Sequence, residues 1–318
     1  MHALTLIAAS LPGLAALGAL LFTWMQVGQT SKELRISEHG QITSRFNAAV
    51  GNLGSESLDV RLGGIYALQR IMQDSARDQP TVVSVLAAFA QRHAGSSTKS
   101  LQKSLESSAE HEPTADVRAA IATLGRRSPE HDGGTIIDLS TTDLRGIYFA
   151  EDAPIRLPRA ELAEADLRHA QLYGADLHSA MLSYANLDQA YLDEANLRGA
   201  YLYGASLWAA NLNAADLRRA DMTCGVESVN ANGEVIGREQ CVKLQSAYLE
   251  RADLRNATMT DVDLSYATLT NADLRGADLR RADLSYADLT KADLRGAKMS
   301  GAKLTGAATV GTRGLQEG

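Results

Sequence analysis

The chain has 318 residues and a formal charge of −7, and 45% of its residues are hydrophobic although only 5% are aromatic. So few rings exclude a conventional core of large side chains and favour a narrow, regular one built from Ala and Leu. The acidity lies wholly in residues 135–318, which hold 26 acidic and 19 basic groups, and a surface of that sign disfavours direct binding to nucleic acid.

Ala3 to Met25 is a run of 23 residues without a charge. As a helix it would measure ~35 Å, enough to cross a hydrocarbon core of ~30 Å, so residues 1–28 are expected to be a transmembrane anchor. A cleaved signal peptide is the rival reading, but no Lys or Arg precedes the apolar stretch and no clear small-x-small site comes after it. Only His2 lies ahead of the span, whereas Lys32, Arg35 and Arg45 lie beyond it. That bias predicts a single-pass protein of the inner (cytoplasmic) membrane with its bulk in the cytoplasm.

Residues 29–94 read as a helical, membrane-proximal region. Leu34, Ile42, Phe46 and Val50 fall mostly at helical spacing between Lys32 and Gly54. Asp59 is placed to cap a second helix, with Leu62, Ile65, Leu68, Ile71 and Met72 on one stripe, and Pro80 separates it from a third over Thr81–His93. Gly63 and Gly64 inside the second helix cost about 1 kcal/mol each relative to Ala, which close helix packing would explain. The string from Asp59 to Ile71 resembles one helix of a HEAT-type hairpin. Residues 95–113, rich in Ser, Lys and Glu, read as a linker. Within 114–134, a helix over Thr114–Arg127 with Val117, Ala120, Ile121 and Leu124 on one side is expected to cap the open end of the C-terminal unit.

A five-residue period then takes over. Stepping by five from Leu157 gives fourteen centres to Met222, thirteen of them Leu, and the residue two before each centre is Ala in thirteen cases. A second run has thirteen centres from Leu244 to Leu304, all Leu or Met, and Ile137–Phe149 supplies three looser units. A bend every five residues would point the Leu and the Ala inward and leave the preceding Asp or Asn outward, bonding local backbone. Asp253, Asp273 and Asp293, with Arg255, Arg275 and Arg295, recur every twenty residues, so four units complete one coil. Thirty units make about 7.5 coils, or ~36 Å at a strand separation of about 4.8 Å. The pattern resembles the A(D/N)LXX signature of the pentapeptide-repeat family. The resemblance implies a right-handed quadrilateral β-helix, placed at 135–310 with a tail at 311–318. The order of anchor, Leu-Gly-Gly-Ile-Tyr-Ala-Leu helix and repeats is also similar to membrane-associated bacterial members.

Two features are candidate partner contacts. The first is the outward ladders: Arg255, Arg275 and Arg295 beside their aspartates, and Tyr266 and Tyr286 on what is expected to be a neighbouring face. Self-neutralising charge and ring stacking between coils would account for both without a partner. The second is the break in the period at residues 223–241. Asn232-Gly233 is a hairpin turn signal, and folding about it pairs Val229 with Ile236, Glu227 with Arg238, and Cys224 with Cys241, with Glu234 near the tip. The resemblance implies that such loops matter in members that protect DNA gyrase. A cytoplasmic location makes Cys224 and Cys241 reduced thiols. The seven His residues show no ligand spacing and no phosphate-binding Gly loop occurs, so neither catalytic site, metal nor cofactor is expected. These readings point to a non-enzymatic scaffold with a membrane and an unidentified protein as partners. Inhibition or protection of a type II topoisomerase by a DNA-like acidic rod is the alternative. Oligomeric state is left open.

Overall fold

The computed structural model describes residues 22–26, 40–95, 112–149, 154–226 and 239–315. Residues 22–26 are helical, but most of the expected anchor lies outside the described residues. Among those described, no helix is long and apolar enough to cross a membrane. The expected linker also lies largely outside them.

Among the described residues, four helices longer than two turns precede the repeats: α1 (residues 40–53), α2 (Leu58–Asp74), α3 (Gln79–His93) and α4 (Ala115–Gly125). Ile65, Leu68 and Ile71 of α2, Val82, Val83 and Leu86 of α3, and Val117, Ile121 and Leu124 of α4 are all buried in one core. Two boundaries differ from expectation. Ser57, not Asp59, is the N-cap of α2, and Asp59 lies in the first turn, where its charge complements the helix dipole. Pro80 does not separate α2 from α3; it is inside the first turn of α3, where its missing N–H would be unbonded anyway. Of the paired glycines, Gly64 is required by packing, since a Cβ there would lie 2.8 Å from the Ala49 carbonyl of α1, whereas Gly63 has open space around it.

Beyond α4 the chain is a four-sided β-helix. Each unit contributes a parallel bridge to the unit twenty residues on, as in Glu161 with Met181 and Asp253 with Asp273. Leu centres and their Ala partners are buried from Leu157 to Leu294. Each unit turns its corner in four residues, with the Ala N–H bonded to the preceding Leu carbonyl, as in Ala165 to Leu162 at 3.1 Å. The third residue of that turn is left-handed in nearly every unit, including Glu164 (φ 59) and Arg219 (φ 59). Such a conformation costs a non-Gly residue about 1 kcal/mol or more. It persists because the carbonyls of the next coil also hold it, for example Glu164 N–H to Ser183 O at 2.9 Å.

Numbering the faces in chain order, faces 1 to 4 begin at Asp138, Asp143, Tyr148 and Arg156. The first coil is longer than the regular ones: Asp138 bridges Glu161, 23 residues on rather than 20. The three extra residues fall between faces 3 and 4. The last bridge, Asp293 with Arg313, carries the helix past the expected end at residue 310.

The helix α4 closes the upper end. Gly125 abuts Ile155 so closely that a Cβ would lie 2.2 Å from its Cγ1, and the Gly125 carbonyl accepts from Arg156 N–H at 3.2 Å. Beside it, the buried Arg127 guanidinium grips Asp132 at 2.8–3.0 Å and donates to the carbonyls of Leu124 and Arg156. Gln79 of α3 donates to Asp132 at 2.8 Å and ties the helices to the first coil.

Candidate functional site

Face 4 carries the arginine ladder. In each unit the aspartate Oδ1 accepts the backbone N–H two residues on, fixing its orientation (Asp273 from Arg275 at 3.2 Å). The arginine of that unit then pairs with it through Nη2: Arg255 with Asp253 at 2.7 Å, Arg275 with Asp273 at 2.6 Å and Arg295 with Asp293 at 2.6 Å. Each Nε leans toward the next coil, Arg255 to Asp273 at 3.5 Å and Arg275 to Asp293 at 3.9 Å. Arg218, bonded to Asp216 and 3.4 Å from Asp253, extends the zipper upward. The hydrogen bond from Arg295 pulls the Asp293 carboxyl down to about 2, and that from Arg275 lowers Asp273. Four aspartates and four arginines thus cancel on this face. A second zipper, Asp143–Arg145–Asp166–Arg168, does the same on face 2 of the first coils. Above Arg218 the pattern fails at Asn196, so Arg198 has no aspartate of its own unit.

Tyr266 and Tyr286 stack as expected, with ring centres 5.1 Å apart and planes 12° from parallel. They are not on a face neighbouring the arginines. Half of a twenty-residue coil separates Arg255 from the unit of Tyr266, which places the two ladders on opposite sides of the rod.

The excursion leaves after face 1 and returns before face 2. Strands β1 (Gly225–Val226) and β2 (Glu239–Gln240) pair antiparallel, Gly225 with Gln240 and Val226 with Glu239, which is the register expected from a turn at Asn232-Gly233. Glu227, Asn232, Gly233, Glu234 and Arg238 lie outside the described residues. The expectation of reduced thiols is corrected: Cys224 and Cys241 are joined by a disulfide, Cα atoms 3.9 Å apart, across the neck of the hairpin. The in-phase register of the hairpin carries the two cysteines to facing positions, close enough to bond.

Other outward rings were not singled out by sequence reasoning. Tyr148, Tyr173, Tyr191, Tyr201, Trp208 and Tyr248 are all exposed on the upper coils. Their signal in the sequence is weak, because they do not recur at every twentieth position. Among the described residues no group of three His, Cys, Asp or Glu side chains could hold a metal.

The fold and its period decide the family, and the sequence pattern of pentapeptide repeats matches in eight copies over residues 160–199, 200–224, 240–276 and 272–307. The chain belongs to the pentapeptide repeat family. It is similar to HetL, a pentapeptide repeat protein involved in heterocyst differentiation regulation from the cyanobacterium Nostoc sp. strain PCC 7120, at 34% identity over 55% of this chain and 81% of that one, with a TM-score of 0.19. QnrB1, a plasmid-mediated fluoroquinolone resistance protein, is similar at 19% identity over 54% of this chain and 74% of that one, with a TM-score of 0.31. A pentapeptide repeat protein from the thylakoid lumen of Arabidopsis thaliana matches at 27% identity, covering 38% and 71%, with a TM-score of 0.23. No curated protein matches.

Proposed function

We propose that this pentapeptide repeat protein is a non-enzymatic interaction scaffold, tethered to a membrane through residues 3–25, whose excursion engages another protein. The observation that carries this reading is the contrast on the rod surface. From Asp216 to Arg295 face 4 spends its charges on itself, whereas the hairpin base at Cys224 and Cys241 stands at the corner between faces 1 and 2.

The side of the membrane has two opposed indications. Lys32, Arg35 and Arg45 favour the cytoplasm. The disulfide favours an oxidising compartment, and it joins the only two cysteines of the chain. We adopt the oxidising face, because a facing pair is a more specific constraint than three basic residues. Trapping thiols in intact cells with acid and then adding a maleimide polymer tests this: protection until a reductant is added supports it, and immediate modification returns the rod to the cytoplasm.

The scaffold reading is tested with a photo-crosslinker at residue 232 of the full chain in native membranes. A specific crosslinked protein that is lost when residues 227–238 are replaced by a short Gly-Ser loop supports it. Equal crosslinking through the replaced loop sinks it. A second reading, protection of a type II topoisomerase, is favoured by the seven excess acidic groups of residues 135–318, while the zippers that neutralise face 4 weigh against it. A supercoiling assay with gyrase unaffected by the purified chain disposes of it.

A further inference from the structure

Face 3 has a pattern that the other faces lack. Its leading positions on five successive coils are Tyr148, Gln171, Tyr191, Asn211 and Tyr248, so a ring and an amide alternate down the rod. Tyr191 and Tyr248 each leave 52% of their surface exposed. Stacking between coils explains Tyr266 and Tyr286, but it cannot explain these two, because Asn211 lies between them and sets them two coils apart. Tyr148 lies beneath the Arg118 guanidinium, 4.8 Å from its ring centre, and ends the row at the cap.

The surroundings are those of a ligand site. Gln171, Tyr173, Tyr191, Asp193 and Glu194, with Phe149, Pro154 and Ile155 of the first coil, line a groove of about 920 Å³ that reaches Tyr191 at its lower end, one coil above Asn211. Asn213 donates to Asn211 at 2.6 Å, and both amides hydrogen-bond toward Asp193. Exposed rings interleaved with fixed amides suit a ligand that is apolar on its ring faces and polar at its edges. The carboxylates of Asp193, Glu194 and Glu250 run beside the row with Arg251, among the described residues, as their one close counter-charge, 3.6 Å from Glu250, so polyanions are repelled.

The repeat length selects the ligand class. Two coils place equivalent rings about 10 Å apart, at ~4.8 Å per strand. That is the length of one disaccharide in an extended β-1,4-linked chain, where alternate sugars are flipped and every second one offers the same face.

We propose that face 3 binds a linear, uncharged β-1,4-linked glycan lying along the rod, with Tyr191 and Tyr248 stacking on sugars one disaccharide apart and Asn211 bonding the sugar between them. This surface is distinct from the excursion, so its failure leaves the scaffold reading standing.

Titration calorimetry of the full chain in detergent with cellohexaose and with chitohexaose tests it. Saturable binding of at least one is expected, weakened roughly tenfold or more by Tyr191→Ala and by Tyr248→Ala. Tyr191→Phe keeps the ring and should retain affinity, and Tyr201→Ala, on the opposite face, should leave it unchanged. Thermal melts matching the native chain confirm that the variants are folded. Absence of binding to both hexasaccharides, alanine variants that bind like the native chain, or equal binding of an oligogalacturonate would each overturn the proposal.

Discussion

The two ends of the rod are made of the same unit and behave differently. At the upper end Ile121 and Leu124 of α4 are buried against the first coil and the Arg127–Asp132–Gln79 cluster locks the helices to it. At the lower end the Leu-Ala core thins out: Leu294 is buried, Met299 and Leu304 are half-buried, and Thr309 at the next centre is exposed. A solenoid unit buries its core only against a neighbour. Position along the stack, rather than identity of the residue, therefore sets what each side chain contributes.

Paired substitutions separate the ends. Arg127→Ala should be the most damaging, costing about 3–5 kcal/mol because Asp132 would be left buried without its partner. Arg295→Ala, on the exposed lower zipper where solvent screens the pair, should cost only a small fraction of that. Urea unfolding monitored by circular dichroism compares them, and equal midpoints would abolish the distinction. Next, Leu207→Ala in the middle of the stack should cost about 2–5 kcal/mol. Met299→Ala, the same kind of truncation near the open end, should cost less than half as much by the same assay.

A smaller effect of opposite sign is expected at the corners. Ala209 and Ala214 are left-handed (φ 52 and 56), so Ala209→Gly or Ala214→Gly should stabilise by up to about 1 kcal/mol. A fall in melting temperature would mean that those methyl groups pack better than they strain. Smallest at neutral pH is the contribution of the zippers. Asp293 is depressed from 3.8 to about 2 by Arg295. Its contribution is fully present above the ordinary carboxylate value and is lost as pH falls through about 2. Stability should thus hold from neutral pH to about 4 and decline below it, and Arg295→Gln, which lets the Asp293 carboxyl return toward its ordinary value, should make that decline shallower without moving its onset.

Much of this was legible in the sequence for one reason: a period that repeats many times leaves little room for error. The twenty-residue recurrence of Arg255, Arg275 and Arg295 gave their stacking, and Asn232-Gly233 gave the register of a hairpin whose base is Gly225 opposite Gln240. The same recurrence already implied that Tyr266 lies half a coil from Arg255, although the two ladders were expected to be neighbours. What does not repeat was harder to read. The three extra residues of the first coil come after loose units that have no Ala to mark their phase. The alternation of Tyr191, Asn211 and Tyr248 crosses the excursion, which shifts the spacing from 20 to 37 residues and hides the column. The left-handed corners are occupied by residues as varied as Glu164, His169 and Lys291, so local preference does not reveal them; the coil above and the coil below impose them.

That shift of spacing has a practical side. Ser206 still meets Lys243, and every column continues in phase beyond the insertion, because the intruding segment starts and finishes at one corner with its base fastened by Cys224 and Cys241. The rod consequently behaves as a chassis with a socket. Any peptide whose ends can be brought to that corner should be displayable there without rotating the coils below it, which makes the position a natural graft point for epitopes or enzymes on a regular rod.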